Sequence, residues 1–235
     1  MKPASAVQTF ALLEEALQSC GLVPCGGLAF EKGEVVPPGP AGAPAKAGVL
    51  VGHVGSSFWP HFVEWRRTQP ETTPNPLDRW SEETIGAVAS RLGLRAVFPS
   101  DRPWLPFQVW ARRAEGLKQS PLGLLIHPRY GLWRAFRGAV LFDHVPGDLP
   151  TPLSIPHPCD TCAGRPCLSA CPVDAFDGSS YDVVGCRSHL AVPEGTSCLT
   201  GGCLARFACP VGREHAYIAE QQAFHMAAFS RGGPD

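Results

Sequence analysis

No stretch of this sequence approaches the ~20 consecutive apolar residues of a membrane-spanning helix, so no membrane span is expected. Charge is also scarce. Lys, Arg, Asp and Glu make up 17% of the residues and the formal net charge is -1, which gives no global pull toward nucleic acid or anionic lipid. Disorder is excluded from the opposite side, because 44% of the chain is hydrophobic. The start of the chain lacks a leader pattern: its apolar run is cut by Glu14 and Glu15, and no small-residue cleavage site follows. The expected location is therefore a reducing cytoplasm, where disulfides are rare and cysteines default to metal ligation.

Three residue types are plentiful. The 25 Gly and 25 Pro predict long ordered loops and modest helix content, and the ten Cys dominate the last third of the chain. Size alone, at 235 residues, allows one large domain or one domain with a small appendage.

Along the chain, Phe10, Leu13 and Leu17 recur at helical spacing between Ser5 as a cap and Gly21 as a stop, predicting a helix over 5–19. Residues 33–48 read as a loop. Strands are predicted over 49–53, 94–98, 123–127 and 138–142, and a helix over 81–92 with Ser81 as its cap and Ile85, Val88 and Leu92 on one face. All six Trp fall between Trp59 and Trp133, as core or as the walls of a pocket for a flat ring system. From Arg102 to Arg137 there are seven basic residues and one acid, Glu115, which is either a solvated face or a site for a phosphate-bearing ligand or acidic partner. From Pro150 the texture changes to Pro-punctuated segments and a closing helix near 214–229. The predicted division is an α/β half over 1–149 and a cysteine-dense module over 150–235.

That module holds two groups of four thiols, each ending in Cys-Pro: Cys159, Cys162, Cys167 and Cys171, then Cys186, Cys198, Cys203 and Cys209. Four thiolates satisfy one [4Fe-4S] cube, and in two-cluster bacterial ferredoxins the Cys before Pro crosses to the other cluster. On that rule one cluster takes Cys159, Cys162, Cys167 and Cys209, and the other takes Cys171, Cys186, Cys198 and Cys203. The spacings are looser than the regular run, which leaves a single cluster with spare thiols open. Zinc stays open too, although four-cysteine zinc sites usually pair two C-x2-C knuckles and the second group has none. Cys20 and Cys25 read as buried or incidental thiols.

Residues 120–142, SPLGLLIHPRYGLWRAFRGAVLF, together with the cysteine run that follows, resemble the segment joining the cofactor domain to the ferredoxin module in epoxyqueuosine reductases. Those are cobalamin-dependent tRNA-modifying enzymes related to reductive dehalogenases. The IHPRYGLW and FRGAVL stretches are also similar to the CblC cobalamin-processing proteins, which have a flavin-reductase-like α/β fold and no clusters. The likeness spans roughly 45–215.

It implies an α+β chain: a CblC-like α/β cofactor domain followed by a small ferredoxin-type module with two [4Fe-4S] clusters. It matches Asp101 to a proton-donating acid, with Ala111 and Ala114 in register, the alternative being a plain surface or capping Asp. Arg129, Arg134 and Arg137, with Gly131 and Gly138 allowing close backbone approach, would hold a flavin or corrinoid phosphate, or else pair with nearby acids. His127 would serve as lower ligand or proton donor, or as a satisfied strand-end histidine.

Three functions compete. The first is an iron-sulfur protein feeding electrons to a cobalamin- or flavin-type cofactor in the N-terminal half, with a redox partner protein as donor. The second is a dedicated ferredoxin-like carrier without a third cofactor. The third is an iron-sulfur sensor or interaction protein, for which no helix-turn-helix or RNA-binding signature is present.

Overall fold

A computed structural model describes residues 9–152 and 154–232. The predicted Ser5 cap lies outside the described residues. The chain divides into two compact units: residues 1–116 with 135–154, and residues 117–134 with 155–235. The single boundary expected near residue 150 is replaced by three crossings. Residues 117–134 leave the first unit and join the cysteine-rich one.

The first unit is mixed α/β. Helix α1 (Thr9–Gln18) buries Leu13 and Leu17, one turn apart. Strands β1 (Val23–Ala29) and β2 (Ala47–Val54) pair antiparallel, and β2 is buried along nearly its whole length, which explains its continuous apolar run. Next come α2 (Trp59–Arg67), α3 (Pro76–Arg91), β3 (Arg95–Val97) and α4 (Phe107–Glu115).

Helix α3 begins five residues before the expected start. Pro76 takes its first turn, where a missing N–H costs nothing, and Asp78 sits at the positive end of the helix. Ser81 is therefore not a cap. It is interior and buried, and its hydroxyl donates to the Leu77 carbonyl at 2.7 Å.

The short ribbon of β4 (Lys118–Gln119) and β5 (Leu125–Ile126) belongs to the second unit, and β6 (Arg134–Phe142) returns to the first. The first unit's sheet runs β1-β2-β6-β3, with β3 and β6 antiparallel. Of the expected strand over 123–127, Leu125 and Ile126 pair in the ribbon and His127 forms an isolated bridge with Gly131, because Gly123 turns at φ 75°. The tryptophans settle mainly as core. Trp80 packs against Phe58 and Phe62 at centroid distances of 5.3 and 6.1 Å, and each fully buried ring contributes roughly 1.5–3 kcal/mol. Trp104 is the exception, 68% exposed under the Arg102 guanidinium.

The second unit is a set of short helices: α5 (Pro166–Ser169), α6 (Val183–Leu190), α7 (Thr196–Gly201), α8 (Leu204–Phe207) and the closing α9 (Ala219–Arg231). Helix α9 starts five residues later than the sequence suggests, since Glu214 lies in a separate 3-10 turn. The core joins Leu122, Ile126 and Leu132 from the 117–134 segment to Cys167, Ala205 and Cys209. No helix among the described residues is long and apolar enough to cross a membrane.

Candidate iron-sulfur centres

The second unit brings its eight thiols together as two sets of four. Burial, then the neighbouring thiols of Cys209, Cys167 and Cys162, push Cys159 up to about 11. Cys167 is raised by burial and by Cys209 and Cys162, and Cys209 by burial and Cys162. Cys186 is raised by burial and then by Cys171 and Cys198, and Cys203 by burial and then by Cys186 and Cys171. The first set thus gathers Cys159, Cys162, Cys167 and Cys209. The second gathers Cys171, Cys186, Cys198 and Cys203. Each Cys-Pro cysteine has crossed to the other group's partners.

Thiols that raise one another in this way resist ionising together until cations are inserted among them, which is the condition for a metal-sulfur site. The backbone prepares them for it. The N–H groups of Ala205 and Arg206 face Cys203, that of Leu168 faces Cys167, and that of Val211 faces Cys209. Ala175 N–H donates to Cys171 Sγ at 3.4 Å, and the Tyr181 hydroxyl donates to Cys186. Such donors spread charge away from the sulfurs and tune a cluster's potential.

Among the described residues, no three or more His, Cys, Asp or Glu side chains converge on a point able to hold one metal ion. A zinc site needs its sulfurs about 2.3 Å from a single centre. A cube spreads its four thiolates over four irons. Cys20 and Cys25 lie in the first unit, with Cys20 Sγ donating to the Leu17 carbonyl and Cys25 buried in β1.

The residues nominated for a third cofactor are occupied locally. Asp101 accepts from Phe98 N–H at 2.9 Å while its own N–H donates to the Phe98 carbonyl, closing a turn. Ala111 and Ala114 are buried on the inner face of α4. Arg137 pairs with Asp78 at 3.7 Å, and a Cβ at Gly138 would press on Phe98 and Ile85, so this glycine permits packing within the unit. Arg129 and Arg134 both lie 5.3 Å from the Tyr130 ring. His127 is 7% exposed, and its Nδ1 accepts from the N–H groups of Arg129 and Tyr130 at 3.0 and 3.1 Å. Burial and the two arginines lower its pKa to about 4, so at neutral pH it is an uncharged turn-closing group.

Sequence reasoning missed Tyr181, whose ring stacks on Phe176 at 4.4 Å. No spacing rule announces it, because a loop and a bridge between Phe176 and Tyr181 deliver it to Cys186. The loop itself had a readable signal: Asp177 accepts from the N–H groups of Ser179 and Ser180 at 2.7 and 2.6 Å. An open cavity of about 560 Å³ lies beside Cys159, with Lys118, His157, Arg165 and Tyr181 in its wall.

No protein-family model matches the chain, and no curated protein matches its sequence. Among solved structures it is similar to a selenomethionine-labelled epoxyqueuosine reductase, at 15% identity over 76% of this chain and 52% of that one, with a TM-score of 0.46. The epoxyqueuosine reductase of Bacillus subtilis matches at 15% identity over 92% of this chain and 69% of that one, with a TM-score of 0.48. That of Streptococcus thermophilus matches at 16% over 72% and 50%, with a TM-score of 0.45. The chain spans about half the length of the first and third of these proteins. With scores below 0.5, the chemistry of this chain rests on its own thiol quartets.

Proposed function

We propose that this chain is an iron-sulfur redox protein of a reducing compartment, holding two [4Fe-4S] clusters: one on Cys159, Cys162, Cys167 and Cys209, the other on Cys171, Cys186, Cys198 and Cys203. The observation that carries this reading is the crossed grouping of the thiols, each quartet already supplied with backbone N–H donors. Such clusters pass single electrons. The chain's own residues hold the cubes, exclude water from Cys167, Cys198 and Cys209, and moderate the sulfur charge.

For the electron's destination, the resemblance of residues 120–142 supports a reductase in which a cobalamin- or flavin-type cofactor bound to the chain is reduced and acts on the corrinoid itself or on a bound substrate. A second reading, a dedicated carrier that exchanges electrons with a partner protein, is favoured by the local engagement of Asp101, His127, Arg137 and Gly138.

The test is anaerobic purification, reconstitution with iron, sulfide and cobalamin, and measurement of iron, sulfide, cobalt and flavin on one sample. About eight irons per chain are expected for two cubes. Stoichiometric cobalt or flavin would identify the reductase, and neither would identify the carrier. Zinc in place of iron would overturn both.

A further inference from the structure

Buried polar atoms in folded proteins almost always have a hydrogen-bond partner, and an orphan calls for an explanation such as an ion or a redox role. The described histidines with a buried ring or ring nitrogen include two kinds. His53 contacts the Gly55 carbonyl through Nδ1 at 2.8 Å, and His127 accepts two backbone N–H bonds. His157 and His189 differ: each has a buried Nε2 with no hydrogen-bond partner among the described residues. His157 stands just before the first cysteine run and His189 within the second.

His189 stands three residues after Cys186 in α6, so the two share a helix face, and helical side chains lean toward the N-terminus, here toward Cys186. His157 stands two residues before Cys159, and both contribute to the wall of the same cavity. The His157 ring is nine-tenths buried, with 10% side-chain exposure, and its Nδ1 edge lies 3.9 Å from Asp160 Oδ1, leaving Nε2 on the inward side. One orphaned imidazole thus accompanies each quartet, and each lacks an acceptor where a cluster would bring sulfur.

Resting on the two-cluster reading, we infer that His157 and His189 each donate an Nε2–H hydrogen bond to a sulfur of the cluster in their own quartet. A donor to sulfur stabilises the more negative, reduced cluster. Each histidine therefore sets its own cluster's potential upward, independently of the other.

The test is a potential-controlled reduction of the iron-loaded chain at one pH, with each cluster's EPR signal followed separately. His189→Phe keeps a ring and removes the donor. It should lower the midpoint of one cluster by a tenfold change in the reduced-to-oxidised ratio, about 59 mV, and leave the other unmoved. His157→Phe should do the reverse, and His189→Gln, which keeps an N–H, should stay near the parent value. Unmoved midpoints with iron retained would overturn the inference, as would both Phe variants shifting the same cluster or Gln falling as far as Phe.

A variant-free measurement stands beside these. In the unsubstituted protein labelled with 15N-histidine, pulsed EPR of the reduced clusters should detect imidazole nitrogen at both. Cluster signals without that coupling sink this inference alone, whereas no cluster signal at all sinks the two-cluster reading.

Discussion

Cys209→Ala offers the most direct access to the crossed ligation. Cys209 follows Cys203 by only six residues, yet its thiol neighbours are Cys159, Cys162 and Cys167, more than forty residues upstream. Losing one of four ligands should empty that quartet and leave the other full, taking iron from about eight to about four per chain. The pairing then shows in double substitutions. Cys162→Ala with Cys209→Ala removes two ligands of the same cube, so iron should remain at about four. Cys171→Ala with Cys209→Ala removes one ligand from each cube, and iron should fall toward zero. The assay is iron and sulfide per chain after anaerobic reconstitution, read with the EPR signal of the reduced protein. If the Cys162 and Cys209 pair lost all iron, as the Cys171 and Cys209 pair should, the quartets would follow sequence order and the crossed grouping would be refuted.

Three further outcomes follow from the geometry. Gly131 sits at φ 57°, and an added Cβ would overlap the Val211 carbonyl just beyond Cys209-Pro210, so Gly131→Ala should cost roughly 2–4 kcal/mol in anaerobic urea titration; Gly123→Ala, at φ 75° in open space, should cost only about 1 kcal/mol, and equal costs would contradict the overlap. His127 has a folded pKa of about 4, below its ordinary 6.5, so the unfolded chain takes up a proton first as pH falls. Stability is then fully present above pH 6.5 and lost progressively toward pH 4, by about 3 kcal/mol in all. His127→Asn should abolish that slope, and parallel pH curves for parent and variant would rule it out. Asp101→Ala opens the Phe98 turn and should lower stability by about 1 kcal/mol without altering iron content, as measured by thermal melting with iron analysis; an unchanged melt with lost reductase activity would instead mark Asp101 as a proton donor.

What could be read beforehand was local. The apolar runs that became β2 and β6 are visible because buried strands need little alternation. Strand β1 was hidden: its sequence, VPCGGLA, carries a Pro and two Gly, and its register shifts between Pro24 and Gly27, so no period of two survives. The start of α3 was misjudged because Ser81 and its following acids imitate a capping pattern, while the real entry is a left-handed Asn75 followed by Pro76. The allegiance of residues 117–134 was invisible for another reason: it depends on Leu122, Ile126 and Leu132 meeting residues from Cys167 to Cys209, and no window of sequence contains both.

That last feature bears on how such a protein can be taken apart or reassembled. A cut near residue 150 gives a cysteine module stripped of Leu122, Ile126 and Leu132, three of the six buried residues of one hydrophobic cluster, and leaves the N-terminal piece carrying them. The cysteine-rich part is therefore not a cassette that a single recombination event can append to an α/β neighbour. Any transplant, by evolution or by a protein engineer, has to move 117–134 with it, and the two units are inherited as one lesion-sensitive whole.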